Sequence, residues 1–251
     1  MKLTIITVTY NSVATLENCM QSVLAQDYPH LEYWVVDGGS TDGTAALLAR
    51  YQQEDPRIRF VSEPDFGIYD ALNKGVRLAT GEVLGFVHAD DFLAHPQTAS
   101  RIVQRFQNTG ADGVYGDLLY VDKQHPGKII RYWKSSPFRP RRLHQGWMPA
   151  HPTFFLKKAV YEKHGWFNLG YHISADYDFM LRVLKDEQLR FAYLPEVVTL
   201  MRVGGTSNRS LKNIFRKSRE DLQAIRGNGL PFPLWVLLAK NLSKLPQFVM
   251  R

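Results

Sequence analysis

The chain has 251 residues, 45% hydrophobic, 12% aromatic and 22% charged, which excludes a disordered, collagenous or coiled-coil protein. One cysteine, Cys19, excludes a disulfide framework and any cysteine-rich metal site, and fits a reducing compartment. The net charge of +7 is unevenly laid out: residues 1–122 carry 8 basic and 16 acidic side chains, 123–161 carry 9 and none, 162–204 carry 5 and 6, and 205–251 carry 9 and 2. An acidic front half argues against a nucleic-acid binder despite the basic total.

The start, MKLTIITVTYN, lacks the long apolar core of a signal peptide, and no stretch nears the roughly 18 apolar residues of a membrane span. The expected setting is the cytoplasm, or the inner face of the cytoplasmic membrane. Residues 3–9 (LTIITVT) read as a buried strand, and Ser12 is placed to cap a helix over 13–26. A second strand (YWVVD, 33–37) leads through Gly38-Gly39-Ser40-Thr41-Asp42-Gly43 into a helix near 43–53. A third strand spans 58–62, a helix 67–80, and a fourth strand 83–88 runs into Ala89-Asp90-Asp91. Four such alternations predict an α/β fold with a mostly parallel sheet, flanking helices and sites at the carboxyl ends of the strands.

A helix near 97–108 follows, then strand-like segments at 114–122 and 128–134 and a loop over 135–150. Helices at about 157–164 and 176–188 and a strand at 191–203 complete the sheet and a second pocket wall. The predicted division is one domain over 1–207 in two halves, 1–110 and 111–207, and a basic helical extension over 208–251. In that extension Leu234, Trp235, Leu237, Leu238, Leu242 and Leu245 share one helical face, with Lys240 and Lys244 off it. Two readings stand: the face packs on the parent domain, or it lies on an anionic membrane.

Asp90 and Asp91 end a very apolar strand. Adjacent carboxylates repel, which a divalent cation relieves; the plainer reading has Asp91 capping the next helix. Mg²⁺ or Mn²⁺ takes one or two carboxylates plus substrate phosphate oxygens, so this pair reads as a nucleoside-diphosphate site. Asp37, at another strand end, is placed to accept hydrogen bonds from a base or ribose hydroxyl, or else is a loop residue beside two glycines. No GxGxxG is present, which disfavours an ordinary dinucleotide-binding fold.

In register, TIITVTYN, VVDGGSTDGT and EPDFGIYDALNKGVRLATGEVLGFVHADD resemble the family 2 glycosyltransferases of GT-A fold, and EPDFGIYDALNKG is most similar to the branch that builds colanic acid and related exopolysaccharides. The resemblance runs through 3–91 and resumes at 150–207. It implies that Tyr10 and Asp37 hold the base and ribose of a UDP-, GDP- or dTDP-sugar, that Asn73 sits near the donor, and that Asp90 and Asp91 form the metal motif, with Asp91 the direct ligand. The first acidic position of that motif is His88 here, read as a strand-ending residue, and a position often Arg is Leu72. YHISADYDFMLR (171–182) resembles the family's acidic segment. It implies Asp176 as the base that deprotonates the acceptor hydroxyl, with Asp178 pairing to Arg182. His151 would line the acceptor side, and Arg202, opening the loop 202–207, would offset diphosphate charge.

The implied activity is an inverting, metal-dependent transfer of a sugar to a hydroxyl of a lipid-linked glycan in bacterial polysaccharide biosynthesis. The basic block 123–161 would lie by the acceptor's pyrophosphate, and no nucleic acid is expected. Transfer to polyprenyl phosphate itself, and nucleotidyl transfer, are the competing readings.

Overall fold

In a computed structural model, which describes residues 1–204 and 211–248, the front half has the expected alternation. Strands β1 (Leu3–Thr9), β2 (Leu31–Asp37), β3 (Ile58–Ser62) and β4 (Val83–Phe86) lie parallel in the order β3-β2-β1-β4. They are joined by helices α1 (Val13–Leu24), α2 (Thr44–Glu54) and α3 (Ile68–Leu78). Alternate residues of β1 serve opposite faces: Ile6 and Val8 enter a core with Leu72 and Val76 of α3, whereas Leu3 and Ile5 enter one with Leu16 and Met20 of α1. The register sets Thr9 opposite Asp37 and Asp37 opposite Ser62, so three strands end level with one another.

The back half is β5 (Phe92–Leu93), α4 (Thr98–Thr109), β6 (Gly113–Val121), β7 (Ile129–Trp133), β8 (Phe154–Lys157), α5 (Lys158–His164), α6 (Ala175–Leu184) and β9 (Phe191–Arg202). The full sheet order is β3-β2-β1-β4-β8-β6-β9-β5, with β7 on β6. The short strand β8, absent from the predicted elements, runs antiparallel to both β4 and β6 and makes the sheet mixed beyond its four parallel strands. Strand β5 pairs with β9, Phe92 opposite Leu200, and so brings the acidic turn before it against Arg202.

Two predicted caps are not formed. Ser12 precedes α1, but its hydroxyl donates to the Tyr10 carbonyl, and the Val13 N–H is capped instead by Asp42 Oδ2 at 3.0 Å. Asp91 caps nothing, because β5 intervenes and α4 starts only at Thr98.

Helices α7 (Leu211–Gly227) and α8 (Pro233–Leu242) form the described part of the C-terminal segment. Ala224, Ile225, Leu230 and Val236 are buried in the same core as α3 and α6. Helix α8 is seated through Val236 and Lys240, and it approaches the 140–146 segment at Gly146, where a Cβ would stand 2.3 Å from the Lys240 nitrogen. Gly146 also has φ +69°, so glycine is required there twice over. The leucine-tryptophan face therefore turns outward: Leu234, Trp235, Leu238, Leu242 and Leu245 are all more than half exposed and Leu237 is half-buried. The helix thus packs on the parent domain, but through Val236, Leu237 and Lys240 and not through most of its leucine-tryptophan stripe. No helix among the described residues is long and apolar enough to cross a membrane.

Candidate active site

The carboxyl ends of β1, β2 and β3 build one wall. Tyr10 is 64% exposed just past β1, and its ring lies against Gly38, where a Cβ would fall 3.4 Å from the ring and 2.5 Å from Asp65 Oδ2. Only glycine leaves that surface open between the aromatic ring and the carboxylate. Asn11, at φ +48°, ties the two loops: its amide N–H donates to Ser40 Oγ, and its side-chain oxygen accepts from the Thr41 N–H. Asp37 is fully buried; it accepts the Ser40 N–H at 3.0 Å, the Ser62 hydroxyl at 2.6 Å and the Ser40 hydroxyl. Its geometry fastens the 38–43 loop from beneath, and a base or ribose contact would compete with those donors. Phe66, 97% exposed, stands on the next loop, whose fold is held by Lys74 through Glu63 and the Pro64 carbonyl.

Beyond β4 the chain turns through His88, Ala89, Asp90 and Asp91. Asp91 is 0% exposed; its Oδ1 accepts the Arg202 N–H at 3.1 Å, while its Oδ2 is buried without a hydrogen-bond partner. Burial, and then the adjacent Asp90 charge, push the Asp91 carboxyl well above the usual carboxylate range. Among the described residues no group of three or more His, Cys, Asp or Glu forms a metal cluster. The pair fits a divalent cation differently: one orphaned buried oxygen beside a second, partly exposed carboxylate suits Mg²⁺ or Mn²⁺ completed by water and phosphate oxygens.

Arg202 is buried, donates Nη1 to the Asp90 carbonyl at 2.8 Å and stacks 4.9 Å from the Phe92 ring. It thereby anchors the acidic turn that carries Asp90 and Asp91. Residues 205–207 of the same loop lie outside the described residues. Asn73 exchanges two 2.9 Å hydrogen bonds with the Phe167 main chain and so clamps α3 to the 165–168 segment. Leu72 is core.

Asp176 is partly exposed in the first turn of α6; the Tyr69 hydroxyl donates to the Ile173 carbonyl at 2.5 Å and stands 3.2 Å from Asp176 Oδ1. Asp178, two residues on, is buried and accepts Arg182 Nε at 3.1 Å, the pairing expected, and Asn228 Nδ2 at 2.9 Å. His88 is not a strand end, because β4 stops at Phe86. It is partly buried, and burial lowers its pKa against the pull of two carboxylates, Asp90 and Asp176, that flank it electrostatically. His151 stacks on Phe86 at 5.6 Å and lies 6.2 Å from the His88 ring. Burial holds His151 down to about 4, so it is neutral near pH 7. The structure thus gathers Asp90, His88, His151 and Asp176, and leaves Tyr10 on the wall beside them.

The predicted residues do not include what holds the Asp176 segment. Glu220 Oε2, on α7, accepts the main-chain N–H groups of His172, Ile173 and Ser174 at 3.1, 2.8 and 3.1 Å. Asp221 Oδ1 accepts the Ser174 hydroxyl at 2.8 Å, and its Oδ2 pairs with Lys240 at 2.7 Å. Ser174 therefore does not cap α6 with its side chain. One sequence signal was available: Glu220 and Asp221 are the only two acids in the basic tail.

The Glycosyl transferase family 2 model matches residues 4–165. A PGL/p-HBAD biosynthesis glycosyltransferase of Mycobacterium tuberculosis H37Rv is 32% identical over 216 residues, 85% of this chain and 82% of the relative. An uncharacterized glycosyltransferase of the same strain is 31% identical over 71% of this chain and 67% of its own length. Among solved structures, S. aureus TarS 1–349 in complex with UDP-GlcNAc superposes with TM-score 0.72 at 18% identity, covering 97% of this chain and 73% of that one. A Pyrobaculum calidifontis mannosyltransferase with GDP-Man and Mn²⁺ gives 0.69 at 23% identity, covering 99% and 73%.

Proposed function

The chain belongs to glycosyl transferase family 2, and from that premise we propose that it transfers a sugar, with inversion, from a nucleoside-diphosphate donor to a hydroxyl of a lipid-linked glycan. One observation carries this reading: Asp90, next to the orphaned Asp91 oxygen, and the partly exposed Asp176 carboxylate both act electrostatically on His88. A cleft with carboxylates at two such places serves leaving group and nucleophile separately.

In this reading the nucleobase lies on the Tyr10 ring, over the loop that Asp37 fastens. UDP and GDP sugars, which the two structural neighbours hold, are the first candidates, with dTDP sugars next. Asp91 and Asp90 would hold Mg²⁺ or Mn²⁺, which when bound supplies positive charge for the departing diphosphate. Asp176 accepts the acceptor hydroxyl proton as its oxygen bonds to the anomeric carbon and the bond to the diphosphate breaks. Tyr69 and the Glu220-held segment fix the orientation of that carboxylate. His151 forms the acceptor-side wall as a neutral ring. An in-line displacement of this kind inverts the anomeric configuration. The exposed Asp176 base favours a hydroxyl acceptor over polyprenyl phosphate, whose oxygen needs no base. Bacterial polysaccharide biosynthesis, including the colanic-acid type, is the setting this chemistry fits; the relatives named for PGL/p-HBAD biosynthesis are a second one.

The outward face of α8, with exposed Lys212, Arg216 and Arg219 on α7, supports peripheral contact with an anionic membrane. Replacing Trp235, Leu238 and Leu242 with Ser should release the protein from phosphatidylglycerol vesicles while leaving its melting temperature in place; retained binding would refute the contact. For the reaction, the test is a screen of UDP-, GDP- and dTDP-sugars with Mn²⁺, reading nucleoside-diphosphate release. A folded protein that turns over none of them would overturn the proposal.

A further inference from the structure

A cavity of about 280 Å³ lies outside the cleft just described, between the exit of β7 and the inner side of α8. Its lining includes Lys134, Lys240 and Lys244 and no carboxylate. Lys240 is neutralised from behind by Asp221 at 2.7 Å and stands 3.3 Å from the centroid of the Tyr177 ring, the residue that follows Asp176. Lys244 has no carboxylate within ion-pair distance among the described residues. Burial, and then the charges of Lys240 and Lys217, pull the Lys244 ammonium down to about 7. Cations crowded this closely favour an anion among them.

A second observation is independent of charge. Ser135 lines the same cavity, is 7% exposed, and its hydroxyl oxygen is buried with no hydrogen-bond partner. A buried hydroxyl without a partner costs stability unless something else meets it. The remaining wall is apolar and aromatic, with Trp133, Trp147 and Met148. The lining therefore combines basic side chains, a hydroxyl and flat apolar surface, which matches an amphiphile whose charged group is a phosphate.

Position selects among amphiphiles. The cavity is on one side of α8 and the exposed Trp235-Leu238-Leu242 face is on the other. Lys240 lies on the inner side of α8, and Lys244 lies in the turn just past its end; both line the cavity. A lipid whose chain rests in a bilayer under α8 can thus present its phosphates to the inner lysines, beside the helix that carries Asp176.

We propose that this cavity binds the diphosphate of a lipid-linked acceptor, with Lys134 and Lys244 as counter-charges, the Ser135 hydroxyl as donor, and Trp133 and Trp147 against the first carbons of the chain. The site rests on the lipid-linked-acceptor reading given above and adds the place where the lipid diphosphate is held.

The test is isothermal titration of the full chain, in EDTA, with geranyl diphosphate and with inorganic pyrophosphate. Geranyl diphosphate should bind saturably and at least about tenfold tighter than pyrophosphate; Lys244→Met and Ser135→Ala should each weaken it about tenfold, the size of one charge-assisted contact. Ser135→Ala keeps the interpretation clean, because removing an unpartnered buried hydroxyl does not destabilise the fold. The affinity of both variants for UDP with Mn²⁺, which reads the separate donor cleft, should stay within about twofold of the parent. Absence of saturable binding, or unchanged binding in Lys244→Met, would overturn the site. Equal affinity for pyrophosphate would overturn its assignment to a lipid. Binding is read without turnover, so a protein that binds geranyl diphosphate yet transfers no sugar to a lipid-linked glycan refutes the proposed reaction and not the cavity. One that transfers sugar but ignores the probe refutes the cavity alone.

Discussion

Two adjacent acidic pairs, Asp90–Asp91 after β4 and Glu220–Asp221 on α7, are buried in opposite ways. Glu220 accepts three main-chain N–H groups, and Asp221 accepts a hydroxyl and an ammonium. Asp91 is just as deeply buried, yet one of its oxygens meets nothing in the chain. A buried carboxylate whose oxygens are all engaged holds structure, and one left with an orphaned oxygen beside a second acid is a candidate to meet a ligand. The same rule separates Asp178, engaged by Arg182 and Asn228, from Asp176, which keeps an accessible carboxylate two residues away.

The contrast is broken most directly by removing one charge from each pair. Asp91→Asn should cut transfer by about 10³-fold, in the range seen when a transition-state charge loses its stabiliser. It should also abolish the rise in melting temperature that Mn²⁺ with UDP gives the parent. Its stability in EDTA should not fall, because the Asn oxygen can still accept the Arg202 N–H and the other Asp91 oxygen has no partner to lose; a large loss of stability would mean that Asp91 is structural. Glu220→Gln should do the reverse. Three N–H groups lose a charged acceptor, which costs about 1–3 kcal/mol and several degrees of melting temperature. Transfer measured well below that temperature should fall less than in Asp91→Asn. Equal stability of Glu220→Gln and parent would remove α7 from the account of the base segment.

His151 sharpens the picture with pH. Its folded pKa, about 4, lies below the usual value of 6.5, so the unfolded chain takes up the proton first and stability drops as pH falls from 6.5 toward 4. At pH 5.5 the folding constant should be about tenfold lower on this account, or ~1.4 kcal/mol. His151→Gln should flatten that part of the stability–pH curve, and a slope equal to the parent's would contradict a buried neutral imidazole.

The parallel strands are readable because short, largely apolar stretches run into turn signals, as at Tyr10-Asn11 after β1 and Gly38-Gly39 after β2, and the level ends of β1, β2 and β3 follow from their register. Strand β8 escaped prediction: four residues, Phe154–Lys157, carry no period before the chain turns into α5. The face of α8 was found but not its direction. A leucine stripe is ordinarily the buried side, and here Lys240 is the buried residue because Asp221 and the Tyr177 ring receive it. Asn73 and Arg202 share a second lesson. Each lies near the cleft in sequence order, but both are engaged by main-chain partners distant in sequence, Phe167 and the turn at Asp90, which only the fold brings close.

The measurement that bears most directly on the central claim is single-turnover transfer by Asp176→Asn, with the donor found in the screen and a lipid-linked glycan acceptor. With Asp176 as the base, transfer should slow by about 10²–10⁴-fold. Donor affinity and melting temperature should match the parent, because Asn is isosteric with Asp and the Tyr69 hydroxyl keeps its hydrogen bond to the Ile173 carbonyl. Transfer within a few-fold of the parent by a folded, donor-binding variant would contradict the assignment of Asp176 and the hydroxyl acceptor with it.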